Sequence, residues 1–386
     1  MRVERPPGVH LGNWREQPYS PWAFQHLNEL VPSARIRCAE PRSAETSPLG
    51  LERITGEFPL ASPDLATFLE RTSTSALRVD VDGVPAAGWQ TDQFDQALPH
   101  LLFSVSKSIT AMVAGIVQHQ GLLDPRLPVS HYLDAPEHSA YRDARVQDVL
   151  DMTVALDFAE NYNSDAKEYL AYRRASGWNP VNQKGNVHGL REFILPLKKL
   201  EDQHGREFRY RSPNSDLLGL VLEAATGESF AALASELLWR PMGASGDALI
   251  TVDHFGAPRT AGGICATLDD VQRLAWLLCN DGVNASGIQV LPPDWINDTF
   301  HNGNPDAWQN GEFSYIFPAG KYRNKWYQSG NADNVIYAMG IHGQYVYINP
   351  IRKIVATRLA AQHLPVDDPV EAAVIQAFDL IADRMR

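Results

Sequence analysis

Ser104 and Lys107 stand three residues apart in Ser104-Val105-Ser106-Lys107. An apolar run follows directly: Ile109, Met112, Val113, Ile116 and Val117 recur at helical spacing until Gly121 closes it. Residues three apart share one face of a helix, so the Lys107 ammonium can reach the Ser104 hydroxyl. A serine is a poor nucleophile near neutral pH unless a neighbouring base takes its proton. Burial and the positive end of a helix dipole both lower the pKa of a lysine, which suits Lys107 to that task. The N–H groups left unpaired at the helix start supply a donor for an oxyanion. The bland alternative is an N-cap serine with a surface lysine one turn on. Ser164-Asp165-Ala166-Lys167 repeats the spacing, but within a polar, Tyr-rich stretch from Glu160 to Tyr172 with no apolar helix behind it. That stretch reads as a solvated segment.

Two further places could complete such a site. Tyr210 lies in Phe208-Arg209-Tyr210-Arg211-Ser212-Pro213-Asn214, just ahead of a helix expected from Asp216. A phenol beside a serine and a lysine can pass a proton between them, although a rim or core tyrosine fits the same pattern. In Gly340-Ile341-His342-Gly343, two glycines bracket a strand edge that a ligand can approach closely, and the Ile341 N–H there is a candidate second oxyanion donor. His342 is either a satisfied histidine beside a β-bulge or a general base in a Ser-His arrangement.

The elements that must position these groups are legible in outline. Ala76–Val81 and Val84–Trp89 flank Asp82-Gly83 as a hairpin. From Ser104 to about Gly246 the pattern is mostly helical. Thr267 caps a helix over 269–279, residues 334–339, 344–348 and 353–359 read as strands, and Pro369 opens a closing helix. Ser20-Pro21 reads as a cap and first-turn proline of a short helix. The layout predicts an α+β protein, an antiparallel sheet flanked by helices, made from residues 1–100 and 255–386, with a mostly helical domain, 101–254, inserted. Ser104 would then lie at the junction.

Composition excludes several functions. Formal net charge is −12 with no Lys/Arg block, which argues against nucleic acid and against an anionic membrane. No apolar run has the length of a membrane span, and the first residues hold no apolar signal region. Cys38, Cys265 and Cys279 are odd in number and scattered, so neither a disulfide framework nor a metal site is expected. No serine sits in G-x-S-x-G, and neither H-E-x-x-H nor a Gly-rich phosphate loop occurs. A cytoplasmic protein with structural thiols is expected, needing no metal or cofactor, with a small-molecule ester or amide as its partner and a homodimer left open.

Together these segments resemble the penicillin-recognising serine hydrolases, the group of class C β-lactamases, DD-peptidases and related esterases. Ser104-Val105-Ser106-Lys107 matches the S-x-x-K of that group, and Tyr210-Arg211-Ser212 falls where it has Tyr-x-Asn. Met339-Gly340-Ile341 takes the place of Lys-Thr-Gly, and Gly262-Gly263 precedes the Thr267-capped helix as the group's Gly-Gly stretch does. Within the group, the likeness is strongest to the 6-aminohexanoate-dimer (nylon-oligomer) hydrolases, through Trp22–Ala34, Val149–Met152, Ser176-Gly177-Trp178 and Gly340–Gln344. The resemblance implies a β-lactamase/transpeptidase-like fold. It implies Ser104 as acyl-accepting nucleophile, Lys107 and Tyr210 as the proton-handling pair supported by Ser212, and the N–H groups of Ser104 and Ile341 as oxyanion hole. It sets Tyr162, Arg173, Trp178 and His342 at the substrate. Ser212 in place of asparagine and the missing lysine of Lys-Thr-Gly weigh against β-lactams. Arg173 stands where amide-active nylon-oligomer hydrolases present a carboxylate to the substrate's amino end. The expected reaction is hydrolysis of small carboxyl esters, and of amides second, through an acyl-enzyme. The alternatives are a 6-aminohexanoate-dimer hydrolase, a β-lactamase or DD-peptidase, and a non-catalytic binding protein of the same fold.

Overall fold

A computed structural model describes residues 4–42, 50–162, 166–181 and 188–385. Strand Gln344–Asn349 shows how its larger sheet is built: Tyr345 and Tyr347 enter one core cluster, Val346 and Ile348 another. That is the two-residue period of a pleated strand covered on both faces. The same split recurs in Ile336–Gly340, where Tyr337 joins the first cluster and Ile336 and Ala338 the second. Helix Asp368–Arg384 covers the tyrosine face, with Phe378 centred 6.1 Å from Tyr345 and 5.4 Å from Tyr347. Helices Leu268–Cys279 and Val105–His119 lie in the cluster on the other face.

The sheet has seven antiparallel strands in the order Val84–Gln90, Thr74–Val81, Ile354–Ala360, Gln344–Asn349, Ile336–Gly340, Trp326–Gln328, Lys321–Arg323. The hairpin expected at Asp82-Gly83 is present, with φ of 51° and 73° at its two turn residues, the positive pair that a tight hairpin with right-handed strand twist requires. A second sheet of four short strands runs Ser33–Ile36, Ala248–Thr251, Ile264–Ala266, His100–Leu101. The sequence reading lacked it, because strands of two to four residues are too short to register an alternation. Between Val105 and Trp239 the named elements are helical, including Val105–His119 and Ser212–Thr226, which pack together. Gly227 ends the latter with φ 77°, the left-handed cap expected of glycine. Thr267 caps its helix through the Asp270 N–H, as expected, whereas Ser20 is the first residue of helix Ser20–Ala23 rather than its cap.

Antiparallel sheets flanked by helices, with a helical stretch between Val105 and Trp239, make this the α+β layout expected. Among the described residues no single helix is long and apolar enough to cross a membrane. The three cysteines are free and buried.

Candidate active site

The short strand His100–Leu101 leads into helix Val105–His119 through a strained turn. Phe103 has φ 46°, a left-handed conformation that a bulky side chain rarely adopts. Surrounding rings hold it there: Trp14, Phe24, Trp178 and His342 have centroids 4.9–6.4 Å from that of Phe103. Ser104 follows with φ −68° and ψ −10°, a helical geometry, and its hydroxyl caps nothing. An ordinary N-cap serine sits in the extended region and binds the helix N–H groups, so the capping alternative does not hold. Ser104 Oγ instead accepts a hydrogen bond from Lys107 Nζ at 2.8 Å. Nor is Lys107 a surface lysine: it retains 2% of its exposure, and its ammonium also donates to the Ala261 carbonyl at 2.6 Å.

Burial is the dominant influence on Lys107 and brings its pKa down to about 7; the cation of Arg259 acts in the same direction, and Glu160 and Asp216 oppose it. A lysine so placed is substantially neutral at pH 7 and can accept a proton. Tyr210 lies across from it, with Lys107 Nζ 5.0 Å from the centre of its ring. Burial pushes the pKa of the Tyr210 phenol well above the usual phenol range, with Ser104 and Tyr327 acting the other way. The phenol therefore remains protonated at neutral pH, able to relay or donate a proton but ill-suited to take the first. The backbone N–H of Tyr210 donates to Glu312 at 3.2 Å, and its ring packs with Phe208, Phe313 and Tyr327.

The strand edge at Gly340 meets the same helix start. A Cβ at Gly340 would lie 2.8 Å from the Leu102 carbonyl oxygen and 3.1 Å from the Ser104 nitrogen. Only glycine lets the strand edge come this near to Ser104, and the Ile341 N–H, one residue on, is the candidate second oxyanion donor. The turn beyond is anchored from below: Arg358 Nη1 donates to the Gly343 carbonyl at 2.7 Å, and Gln344 Nε2 to that of His342 at 3.1 Å.

His342 does not behave as a free base. It is 3% exposed, its Nδ1 is engaged by the Gln362 carbonyl at 2.7 Å, and burial lowers its pKa to about 4. Its ring is turned to Phe24 and Phe103. Trp178 is likewise a core residue at 4% exposure, its indole N–H donating to Thr251 Oγ1 at 3.0 Å. The resemblance sets both at the substrate; the structure instead packs their rings against Phe103, where aromatic size and apolar contact hold them.

The stretch from Glu160 to Tyr172 also departs from the expectation of a solvated segment. Ser164 lies outside the described residues. Lys167 is exposed at the start of helix Lys167–Ala175, but Tyr169 and Tyr172 are buried. Glu160 reaches the centre of the site: its carboxylate accepts hydrogen bonds from the Ser212 N–H, from the Ser212 hydroxyl at 2.5 Å and from the Tyr162 hydroxyl. Ser212 is thus held by an acid that the sequence reading passed over, and the charge of that acid raises the pKa of Lys107. Tyr162 stacks edge-on with Tyr169, and Arg173, half-buried, lies over Tyr169 with its guanidinium carbon 5.8 Å from the ring centre. Burial and the cation of Arg259 lower the pKa of Arg173 to about 10, and its Nε donates to Asn179 at 3.0 Å. Beneath Lys107, Asp216 and Arg259 form a buried ion pair. The one hint of it in the sequence is an acid among Leu217, Leu218, Leu220, Val221 and Leu222.

Comparisons with known proteins show the family. The family model described as Beta-lactamase matches residues 78–379. The chain belongs to the β-lactamase family. A 6-aminohexanoate-dimer hydrolase of Paenarthrobacter ureafaciens is 32% identical over 351 residues, covering 91% of this chain and 88% of that protein. Among solved structures, a Bacillus anthracis protein provisionally named as a 6-aminohexanoate-dimer hydrolase superposes with a TM-score of 0.85 at 20% identity, covering 99% of each chain. A family VIII carboxylesterase superposes with a TM-score of 0.55 at 13% identity, covering 82% of this chain and 95% of that one. The last two likenesses speak for the fold. Membership makes this chain a serine hydrolase.

Proposed function

We propose that this β-lactamase-family chain hydrolyses small carboxyl esters and linear amides through an acyl-enzyme on Ser104. The observation that carries the reading is the 2.8 Å contact between Ser104 Oγ and a Lys107 ammonium whose burial brings its pKa to about 7. Ser104 Oγ attacks the carbonyl carbon and Lys107 Nζ takes the hydroxyl proton, consistent with its near-neutral pKa and the high one of Tyr210. The carbonyl π electrons move to oxygen, which the Ser104 and Ile341 N–H groups receive. Tyr210 relays a proton to the departing alcohol or amine. Water then attacks the acyl carbon, its proton returns through the same pair, and Ser104 is released.

Two considerations support this substrate class. The Paenarthrobacter relative is named for a linear amide dimer, which favours open-chain substrates over cyclic ones. Arg173, within the Tyr162–Tyr169 cluster, disfavours a substrate that presents an ammonium there and favours a neutral or anionic end. A 6-aminohexanoate-dimer hydrolase is the second reading, supported by the identity to that relative. A fluorophosphonate that labels Ser104 separates a hydrolase from a non-catalytic binding protein. A screen of p-nitrophenyl esters, short linear amides with neutral or amino ends, and nitrocefin ranks the substrates. Fast turnover of nitrocefin with none of the esters would overturn the reading.

A further inference from the structure

We infer that the buried pair Asp216–Arg259 is the positioning device of the site: it holds the Ala261 carbonyl against Lys107 and so aims the ammonium at Ser104. The inference rests on Lys107 serving Ser104 as base.

The chain of contacts is short. Lys107 Nζ has two acceptors, Ser104 Oγ at 2.8 Å and the Ala261 carbonyl at 2.6 Å, and the second aims the ammonium at the first. The Ala261 N–H donates in turn to Asp216 Oδ1 at 2.7 Å. Asp216 Oδ2 accepts from the Tyr172 hydroxyl at 2.5 Å and from Arg259 Nη1. All three partners donate, as the ionised carboxylate requires. Arg259 is sandwiched, its guanidinium carbon 4.4 Å from the ring centre of Tyr172 and 5.2 Å from that of Trp178. The turn itself cannot drift: the Gly262 and Gly263 N–H groups bond the Arg259 carbonyl, and Thr260 Oγ1 donates to the Ser215 carbonyl at 2.7 Å. A Cβ at Gly219 would lie 2.7 Å from Thr260 Oγ1, so glycine lets helix and turn close together. Asp216 and Ser215 belong to the helix that begins two residues after Tyr210. One clamp therefore registers the proton acceptor and the phenol against the nucleophile.

Asp216, Arg259 and Tyr172 are each 5% exposed or less. Breaking such a pair leaves an uncompensated charge in a low dielectric, where it acts strongly on its neighbours. The other groups facing Lys107 are Ser104 on its own helix, Tyr210, Glu160 with Tyr162, and Lys325, whose own burial drives it toward the neutral form. Arg259 lowers the pKa of Lys107 and Asp216 raises it, so loss of either charge moves the lysine in a definite and opposite direction.

The test is the rate of Ser104 labelling by a fluorophosphonate as a function of pH, with the labelled residue mapped by mass spectrometry and folding checked by circular dichroism. Asp216→Asn keeps an oxygen for the Ala261 N–H and leaves Arg259 unopposed, so the midpoint of the acidic limb falls by about half a pH unit or more; Arg259→Gln raises it by as much. Asp216→Glu keeps both charges but shifts the carboxylate by a methylene, so the plateau rate falls at least about tenfold with the midpoint in place. Tyr172→Phe retains the ring and both charges and removes the hydroxyl that accepts from Arg259 and donates to Asp216, so the plateau rate falls with the midpoint in place even where the harsher variants do not fold. Midpoints that are unmoved or shift with the same sign in Asp216→Asn and Arg259→Gln, or a plateau at the wild-type rate in Asp216→Glu and Tyr172→Phe, overturn the inference. A wild-type chain that is not labelled at Ser104, or a Lys107→Met variant labelled as fast as wild type, overturns the proposed function instead.

Discussion

Gly340 presses against the start of the Ser104 helix so closely that a single added carbon would sit 2.8 Å from the Leu102 carbonyl oxygen and 3.1 Å from the Ser104 nitrogen. Both neighbours are backbone and cannot swing aside. Gly340→Ala must therefore push the strand edge bearing Ile341 away from Ser104. Loss of one oxyanion donor costs about 10²–10³-fold in kcat. A loss of about that size in ester turnover is expected, and a variant with wild-type kcat would show that the Ile341 N–H does not serve the reaction.

Ser104→Ala should abolish both turnover and fluorophosphonate labelling while leaving Tm nearly unchanged, because the hydroxyl caps no helix and fills little space. Ser164→Ala should leave activity as it was. Activity that survives the first change and disappears with the second would reassign the nucleophile.

Tyr210→Phe keeps the packing of the ring against Phe313 and Tyr327 and removes only the proton carrier. A general acid–base group typically contributes about 10²–10⁴-fold, and kcat/KM should fall by that order. His342→Gln should cost much less in rate, since the ring is engaged by Gln362 and burial keeps it neutral at any pH above about 4. A His342→Gln enzyme as inactive as Ser104→Ala would restore the Ser-His mechanism.

Lys107 carries a stability cost that depends on pH. Its pKa falls from an ordinary 10.5 to about 7 on folding, so between those values the unfolded chain binds more protons and stability rises with pH. Lys107→Met removes that cost. Its Tm should exceed that of wild type most below pH 7, with the gap narrowing as pH rises toward 10.5. A gap that does not change across this range would mean that Lys107 is not held neutral by the fold.

Arg173→Asp should favour amino-terminated substrates. Exchanging a cation for an anion removes a repulsion and adds an attraction, so the change is selective. A gain of roughly tenfold in kcat/KM, about 1.4 kcal/mol, is expected for an amino-terminated linear amide, with a neutral ester within a few-fold. Equal effects on both would place Arg173 away from the substrate.

The local chemistry of this protein is written in its sequence. The spacing of Ser104 and Lys107 ahead of an apolar run settles a buried helix with both groups on one face, since helical pitch needs no tertiary help. The Asp82-Gly83 hairpin and the Thr267 cap are likewise local, each set by what a few consecutive backbone groups can bond to. The tertiary structure decided everything that depends on what faces what across the chain. Four strands of two to four residues carry no readable period and form a sheet only because their partners come from residues 33–36, 100–101, 248–251 and 264–266. His342 and Trp178 look like site residues in one dimension, and packing under Phe103 places them in the core. Glu160 sits in a polar stretch like any solvated acid, and only folding sets its carboxylate on Ser212, 52 positions away in the chain. Asp216 and Arg259 are 43 positions apart, and no spacing rule joins them. Their pairing and the low pKa of Lys107 have the same origin: charges taken out of water must find partners or give up their charge, and only the packed interior determines which.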